Sequence, residues 1–527
     1  MKIKSKLIFN LFLFFYLTFG IYISVNVGMT TDELPNHNIG ILNIEAIKDI
    51  LGFNDTGYSN LEKFPWRYKG PAFYYLSYIY LFVVDLLFRF DEYPESVSRV
   101  LLNHGLIFFT FFLSAIFSRK IINLLIKDRF YSNIFLIFYL FYPYLIGHGF
   151  FNNQDMPFLC AWILSTYLSI KIFLKILKNN NISFLNIFLI SLSTSFLISI
   201  RILGILILLQ YFITFVITSR LTKESIYEIL KIYFSKLLLF VLLTFSLIIF
   251  FNPIFWLNPF LFFDSINQMR NIQFGDCTLT LGNCMDALNL PSSYIFIWLF
   301  FKLPLLSFIG LILFPFIEKK IFLEPKNQII LGSILLTIIS IIFLFIFFNV
   351  NQYDELRHVL FLFSLILLAS FSTIYFFSKK MILYISFISI FYFTIQNINM
   401  YPYQYTWFNL FGNFVDISKN FEVDYWGVSG KNIAEKINNN DQILSNMDKC
   451  IYVSPIHVIK PFIRDDFNCV KPFFSIYPKS AEKYILVKYM RNIRRENPSN
   501  CELVFTESYN LLSNKMIMGE VYTCNQN

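Results

Sequence analysis

Eleven apolar runs set the terms on which this chain can fold, because each is close to the ~20 residues a helix needs to cross the hydrocarbon of a bilayer. They lie near 7–28, 98–118, 131–147, 156–177, 183–199, 202–219, 235–251, 293–316, 328–350, 358–377 and 381–398. Backbone in lipid must satisfy its own hydrogen bonds, so runs of this length read as helices. Composition agrees: of 527 residues, 56% are hydrophobic and 15% charged, against about 25% charged in soluble domains. That excludes a soluble cytosolic enzyme, a disordered chain, a collagen and a disulfide scaffold. The first run is too long for a signal peptide and no small-residue cleavage site follows it, so it reads as an anchor. The net charge of +9 is not a nucleic-acid footprint, because the basic residues sit in short loops between apolar runs.

The segment 70–90, GPAFYYLSYIYLFVVDLLFRF, is long enough to span but carries Asp85, Arg89 and many tyrosines. Counting it as a span reverses every later loop. The positive-inside rule decides. With 70–90 lying along the interface, Lys2, Lys4, Lys6, Arg119, Lys120, Lys127, Arg129, Lys171, Lys175, Lys178, Arg220, Lys223, Lys319, Lys320, Lys379 and Lys380 fall on the cytoplasmic side. Asp32, Glu33, Asp155, Asp264, Asp276, Asp286, Asp354 and Glu355 then fall outside. The expected fold is a polytopic α-helical membrane domain over 1–398, with about 11 transmembrane helices and its N-terminus in the cytoplasm. External loops run over 29–97, with the interfacial helix 70–90, and over 252–292. Residues 399–527 alternate short polar and apolar runs and read as a small extracytoplasmic α/β domain. No internal repeat is visible.

Seven cysteines occur, at 160, 277, 284, 450, 469, 501 and 524, without CxxC or Cys/His metal spacing. Six lie in pieces placed outside the membrane, where disulfides persist. Cys277 and Cys284 share one polar loop, as a bridge or as free thiols. Polar residues at a membrane boundary are candidates for function. Asp32-Glu33 follows the first span, as general base, metal ligand or polar cap. GHGFFNNQDMPF (147–158) joins two spans with His148, Asn152, Asn153 and Asp155, as a lined pocket or a plain turn. Arg201 stands alone in an apolar stretch, and QYDELRH (352–358) brings Arg357 and His358 to the start of another span. All four clusters fall on the external side. Carboxylates beside cations there suit a lipid-linked phosphate, whose tail stays in the bilayer while its phosphate meets guanidinium groups.

The Asp-Glu pair, the YKGPAF stretch and GHGFFN-x-x-D-x-PF together resemble the C-type (GT-C) glycosyltransferases. The likeness is to the dolichyl-phosphate-mannose protein mannosyltransferase superfamily and its bacterial lipid A aminoarabinose transferase relatives. TLTLGNCMDALNLPSSY (278–294), YDELRHVLF (353–361) and YPYQYTWFN…FEVDYWGVSG (401–430) are similar to a bacterial branch of it. The resemblance covers about 15–435. One departure stands out: many relatives carry Pro-Lys before the motif aspartate, where this chain has Asn153-Gln154, so a cation near the donor phosphate is missing there.

The resemblance implies an inverting, metal-independent hexosyl- or pentosyltransferase of the bacterial inner membrane that takes its sugar from a polyprenyl phosphate and needs no cofactor. Asp32 is then the base, Glu33 and Asp155 orient acceptor and donor, and Arg201, Arg357, His358 and His148 face the donor phosphate. The acceptor is a glycan, lipid or protein hydroxyl outside the membrane. A multi-spanning transporter or lipid-linked sugar flippase is the alternative. Such proteins commonly show repeated halves with broken helices, and neither is visible in the sequence. A scaffold presenting its C-terminal domain is a third reading, one that leaves the boundary carboxylates unexplained.

Overall fold

In a computed structural model, the structure describes all residues except 1, 54, 88–92, 223, 271–276, 446–449, 468, 474–482, 495, 497–499, 512 and 526–527. Arg89, Lys223 and Asp276, and the end of the 70–90 segment, lie outside the described residues.

The apolar runs fold as helices. Among the described residues eight are long and apolar enough to cross a membrane: Lys6–Val25, Glu95–Ile126, Asp155–Leu177, Ile202–Leu221, Ile226–Phe251, Pro325–Phe347, Arg357–Phe377 and Lys379–Met400. Two more expected spans are bent pairs, Arg129–Phe141 with Pro143–Phe151 at 62°, and Ser293–Lys302 with Leu305–Phe316 at 115°. The remaining run is the shorter helix Phe184–Ile198. Broken helices were not expected, and their cause is local. Pro143 and Pro304 follow the breaks; proline has no N–H to donate and disfavours helical backbone in the residue before it. Helix Leu360–Phe377 runs through the centre, almost wholly buried, with Phe361 stacked on Trp162 at 3.8 Å.

The Tyr-rich segment forms the helix Ala72–Leu87, too short to count among the spans. It packs beside Glu33–Ile50, which follows the first span, and Glu95–Ile126. A small hairpin pairs β1 (Cys277–Thr280) with antiparallel β2 (Asn283–Asp286). It is tied to the later chain by Gly282 N donating to Asn420 O (3.0 Å) and Glu422 N to Leu279 O (3.0 Å). Cys277 and Cys284 stand bonded across it, Cα atoms 5.3 Å apart.

The C-terminal domain is a five-stranded sheet of order β4–β3–β5–β7–β6, built from β3 (Cys450–Val453), β4 (Val470–Pro472), β5 (Lys483–Tyr489), β6 (Cys501–Leu511) and β7 (Asn514–Asn525). Strands β4 and β5 flank β3 in parallel, and the β5–β7–β6 part is antiparallel. Helix Gly430–Asn438 covers one face with Ile433, Ala434 and Ile437. Disulfides Cys450–Cys469 and Cys501–Cys524 staple the sheet. Residues 401–429 behave differently from the rest of the 399–527 piece. Tyr405, Trp407, Phe408, Tyr425 and Trp426 belong to the same buried cluster as the helix bundle, because five large aromatic side chains are withdrawn from water best against an existing apolar core.

Candidate functional site

The start of helix Glu33–Ile50 places Asp32 at the mouth of the bundle. Asp32 makes no side-chain cap to its own helix. Its carboxylate instead accepts from Arg357 Nη1 at 2.7 Å and from the Trp426 indole at 3.3 Å. Burial pushes the Asp32 carboxyl up, but the Arg357 guanidinium and the Lys69 ammonium together outweigh it and hold the group below the usual carboxylate range. Its side chain is 43% exposed, against 2% for Asp155 and 5% for Asp354. Asp32 is thus the carboxylate of the cluster that an incoming group can reach.

Glu33 points the other way. Its carboxylate meets His104 Nε2 at 2.6 Å and accepts the Thr30 N–H at 2.7 Å, while His104 Nδ1 lies 2.9 Å from the Ser24 carbonyl. Successive residues at a helix start lie about 100° apart around its axis, so adjacent carboxylates diverge.

The polar turn 147–158 supplies the second half. Asn152 Oδ1 accepts the Asp155 N–H (2.9 Å), and its amide lies 3.0 Å from His148 Nδ1. Asp155 then meets Arg201 at 2.7 Å, with Gln154 Oε1 accepting from the same guanidinium at 3.0 Å. His148 is fully buried, edge-on to Tyr144 (4.7 Å) and Trp426 (5.4 Å), and so lies beneath the indole. His358 rests against Tyr353 at 4.6 Å and faces Arg201, Arg357 and Lys69. Arg357 also sits over the rings of Tyr353 (5.0 Å) and Trp426 (5.2 Å), where cation–π attraction adds to its ion pairs.

The structure therefore brings Asp32, Asp155, Arg201, Arg357 and His358 together, and sets Glu33 and His148 behind them. Two members escaped the sequence reading. Lys69 donates to Asn36 Oδ1 at 2.5 Å, and Asn36 in turn donates to Asn153 Oδ1 at 3.0 Å. Lys69, from the YKGP stretch, thus reaches Asn153 through Asn36. Burial pushes the Lys69 ammonium down to about 8, helped by Arg201 and Arg357 and opposed by Asp32 and Asp155. Trp426 is the other. Its signal was the DYWG segment, where Asp424 accepts from Tyr405 Oη (2.5 Å), Gly427 N (2.6 Å) and Ser429 Oγ (2.7 Å). This turn needs glycine at 427: φ is +75°, and a Cβ would lie 2.8 Å from Tyr489.

Among the described residues no group of three or more His, Cys, Asp and Glu side chains could hold a metal. The ε-nitrogens of Arg201 and Arg357 are buried without a protein acceptor among the described residues.

The described residues form a polytopic bundle of bent and straight helices, with the helix Glu33–Ile50 after the first span and a small C-terminal sheet domain, and this fold is ArnT-like. Among solved structures it is similar to ArnT from Cupriavidus metallidurans in the apo state, at 10% identity over 98% of both chains with a TM-score of 0.50. It is also similar to the same protein bound to undecaprenyl phosphate, at 10% identity over 99% of this chain and 98% of that one, TM-score 0.48. No family model matches the chain, and no curated protein sequence does. The resemblance read from the motifs holds at the level of fold.

Proposed function

We propose that the protein is an inverting glycosyltransferase that moves a sugar from a polyprenyl-phosphate donor to an acceptor hydroxyl on the outer face of the bacterial inner membrane, without cofactor or metal. One observation carries this reading: Lys69, Arg201 and Arg357 converge beside Asp32, the exposed carboxylate of an otherwise buried charge cluster. The ArnT-like fold supports it by analogy.

The chemistry follows from the geometry. The acceptor oxygen attacks the anomeric carbon from the face opposite the phosphate. The C–O bond to phosphate breaks and its electron pair leaves with the phosphate. Asp32 takes the acceptor proton and, being exposed, passes it to water. The three cations stabilise the charge gathering on the departing phosphate. Phosphate bound against Arg357 and Lys69 also offsets part of their positive charge, which raises the basicity of the Asp32 carboxylate while Arg357 stays aimed at it. Among the described residues no protein group accepts the buried ε N–H of Arg201 or of Arg357, which leaves both for such a ligand. In this reading Asp155 holds Arg201 ready, while His358 lines the same space.

Membranes carrying the protein, given a radiolabelled polyprenyl-phosphate sugar, should transfer label, with chelator present or absent. Asp32→Asn should lower turnover about 10²–10⁴-fold at unchanged protein level. Near-normal turnover of that variant would overturn the assignment of Asp32. The two bent helix pairs favour a transporter or lipid-linked sugar flippase as the second reading. Label that crosses the membrane without changing its chemical linkage would establish it.

A further inference from the structure

Asp354 and Glu355 both take the left-handed backbone, with φ of 56° and 65°. Two consecutive non-glycine residues there are costly and persist only when their surroundings hold them. Each is held by its carboxylate. Glu355 closes on Lys302 at 2.8 Å, both side chains fully buried. Asp354 divides its two oxygens between two arginines: Oδ2 lies 3.1 Å from Arg357, and Oδ1 pairs with Arg491. Arg491 belongs to the C-terminal domain, in the turn Met490–Arg494 that follows β5. It lies 3.6 Å from Glu422, which meets Arg494 at 2.6 Å. Charges thus alternate in an unbroken line: Asp32, Arg357, Asp354, Arg491, Glu422, Arg494. One end is the exposed carboxylate of the site. The other is the sheet domain.

We propose that Arg491 is a positioning residue of the candidate site: by engaging one oxygen of Asp354 it leaves Arg357 aimed at Asp32, so that the C-terminal domain completes the site. With Arg491 removed, Asp354 is buried with half its charge uncompensated, and losing one partner of a buried pair is strongly unfavourable. Fuller engagement of Arg357 is the nearest remedy. That turns the guanidinium away from Asp32, which it now meets at 2.7 Å, and from the Trp426 ring, 5.2 Å off.

The activity arm of the test rests on the function proposed above; the spectroscopic arm does not. In full-length, detergent-purified protein, Trp426 emission is obtained as the difference from the matching Trp426→Phe protein. Turnover is measured with a radiolabelled polyprenyl-phosphate sugar. Arg491→Gln should alter the Trp426 emission and lower kcat at least tenfold. Arg491→Lys should recover part of both. Adding Asp354→Asn to Arg491→Gln should also recover part, since the uncompensated charge is then gone. Lys436→Gln breaks another ion pair of the same domain, Lys436–Glu507 at 2.6 Å, and should change neither. An unchanged Trp426 signal in Arg491→Gln, or the same change in Lys436→Gln, would overturn the proposal. If Arg491→Gln does not fold, Arg491→Lys and the double variant decide by the same comparison. A wild-type protein that transfers nothing refutes the proposed function and leaves the Trp426 comparison to judge Arg491.

Discussion

Asp32 and Glu33 are neighbours in sequence with separate tasks in space. Both ring nitrogens of His104 face acceptors, the Ser24 carbonyl and the Glu33 carboxylate. Its Nδ1–H donates to the carbonyl, since a carbonyl oxygen can only accept. The pair clamps the backbone just before Asp32. A glutamine at 33 can donate to His104 Nε2 and still accept from Thr30. Glu33→Gln should therefore keep most turnover, with acceptor KM unchanged. Glu33→Ala leaves buried donors unmatched and should remove about 1–3 kcal/mol of stability, read as a lowered Tm in detergent. A rise in acceptor KM confined to Glu33→Gln would return Glu33 to the acceptor-orienting role that the family resemblance implies. Lys69 gives a pH signature. An ammonium pushed down to about 8 is charged below that pH and neutral above it, so donor affinity should fall as pH rises through about 8. Lys69→Arg, whose guanidinium stays charged, should carry affinity to higher pH. A parallel profile in the two proteins would remove Lys69 from the phosphate site.

Lys69 is placed by how its segment docks. The Ala72 N–H donates to the Ser199 carbonyl at 3.1 Å, joining the start of helix Ala72–Leu87 to the end of helix Phe184–Ile198, two residues from Arg201. Gly70 makes the approach fit: a Cβ there would sit 2.1 Å from Ser199 O. Backbone on both sides of that clash leaves no flexible side chain to yield. Gly70→Ala should cost about 1–3 kcal/mol, as overpacking does, and weaken donor binding together with it, because Lys69 and Arg201 shift relative to one another. Thermal unfolding and donor titration on one preparation check both. Loss of stability with donor affinity intact would mean that the contact serves only the fold.

At the level of the assembled protein, the distribution of basic loops predicts an N-terminus in the cytoplasm and a sheet domain outside. A reporter active only in the cytoplasm, fused after Asn527, should be silent; a strong signal would reverse the topology and move the site to the other face. Three disulfides, Cys277–Cys284, Cys450–Cys469 and Cys501–Cys524, all lie in the pieces assigned to that outer side, as an oxidising compartment allows. The ion-pair line through Asp354 joins that domain to the bundle, so the two parts are expected to work as one body.

How much of this could be read from the chain alone differs with the range of the interaction. The apolar runs announce helices because lipid leaves backbone no other partner, and runs such as 98–118 and 358–377 needed no tertiary knowledge. The breaks at Pro143 and Pro304 were legible only in principle, since proline also lies harmlessly at helix starts. The charged residues of the site were visible as polar interruptions at span ends, and their common side followed from counting spans. Partnership was not visible. Asp32 and Arg357 are 325 positions apart, and nothing local distinguishes a carboxylate turned to the site from its neighbour turned to His104. Lys69 and Arg491 escaped notice for the same reason: one cation among several in a short stretch carries no signal until packing lowers the dielectric around it and chooses its partner. Pattern along the chain sets which segments enter the membrane. Which charges meet there is decided by the packing that removes them from water.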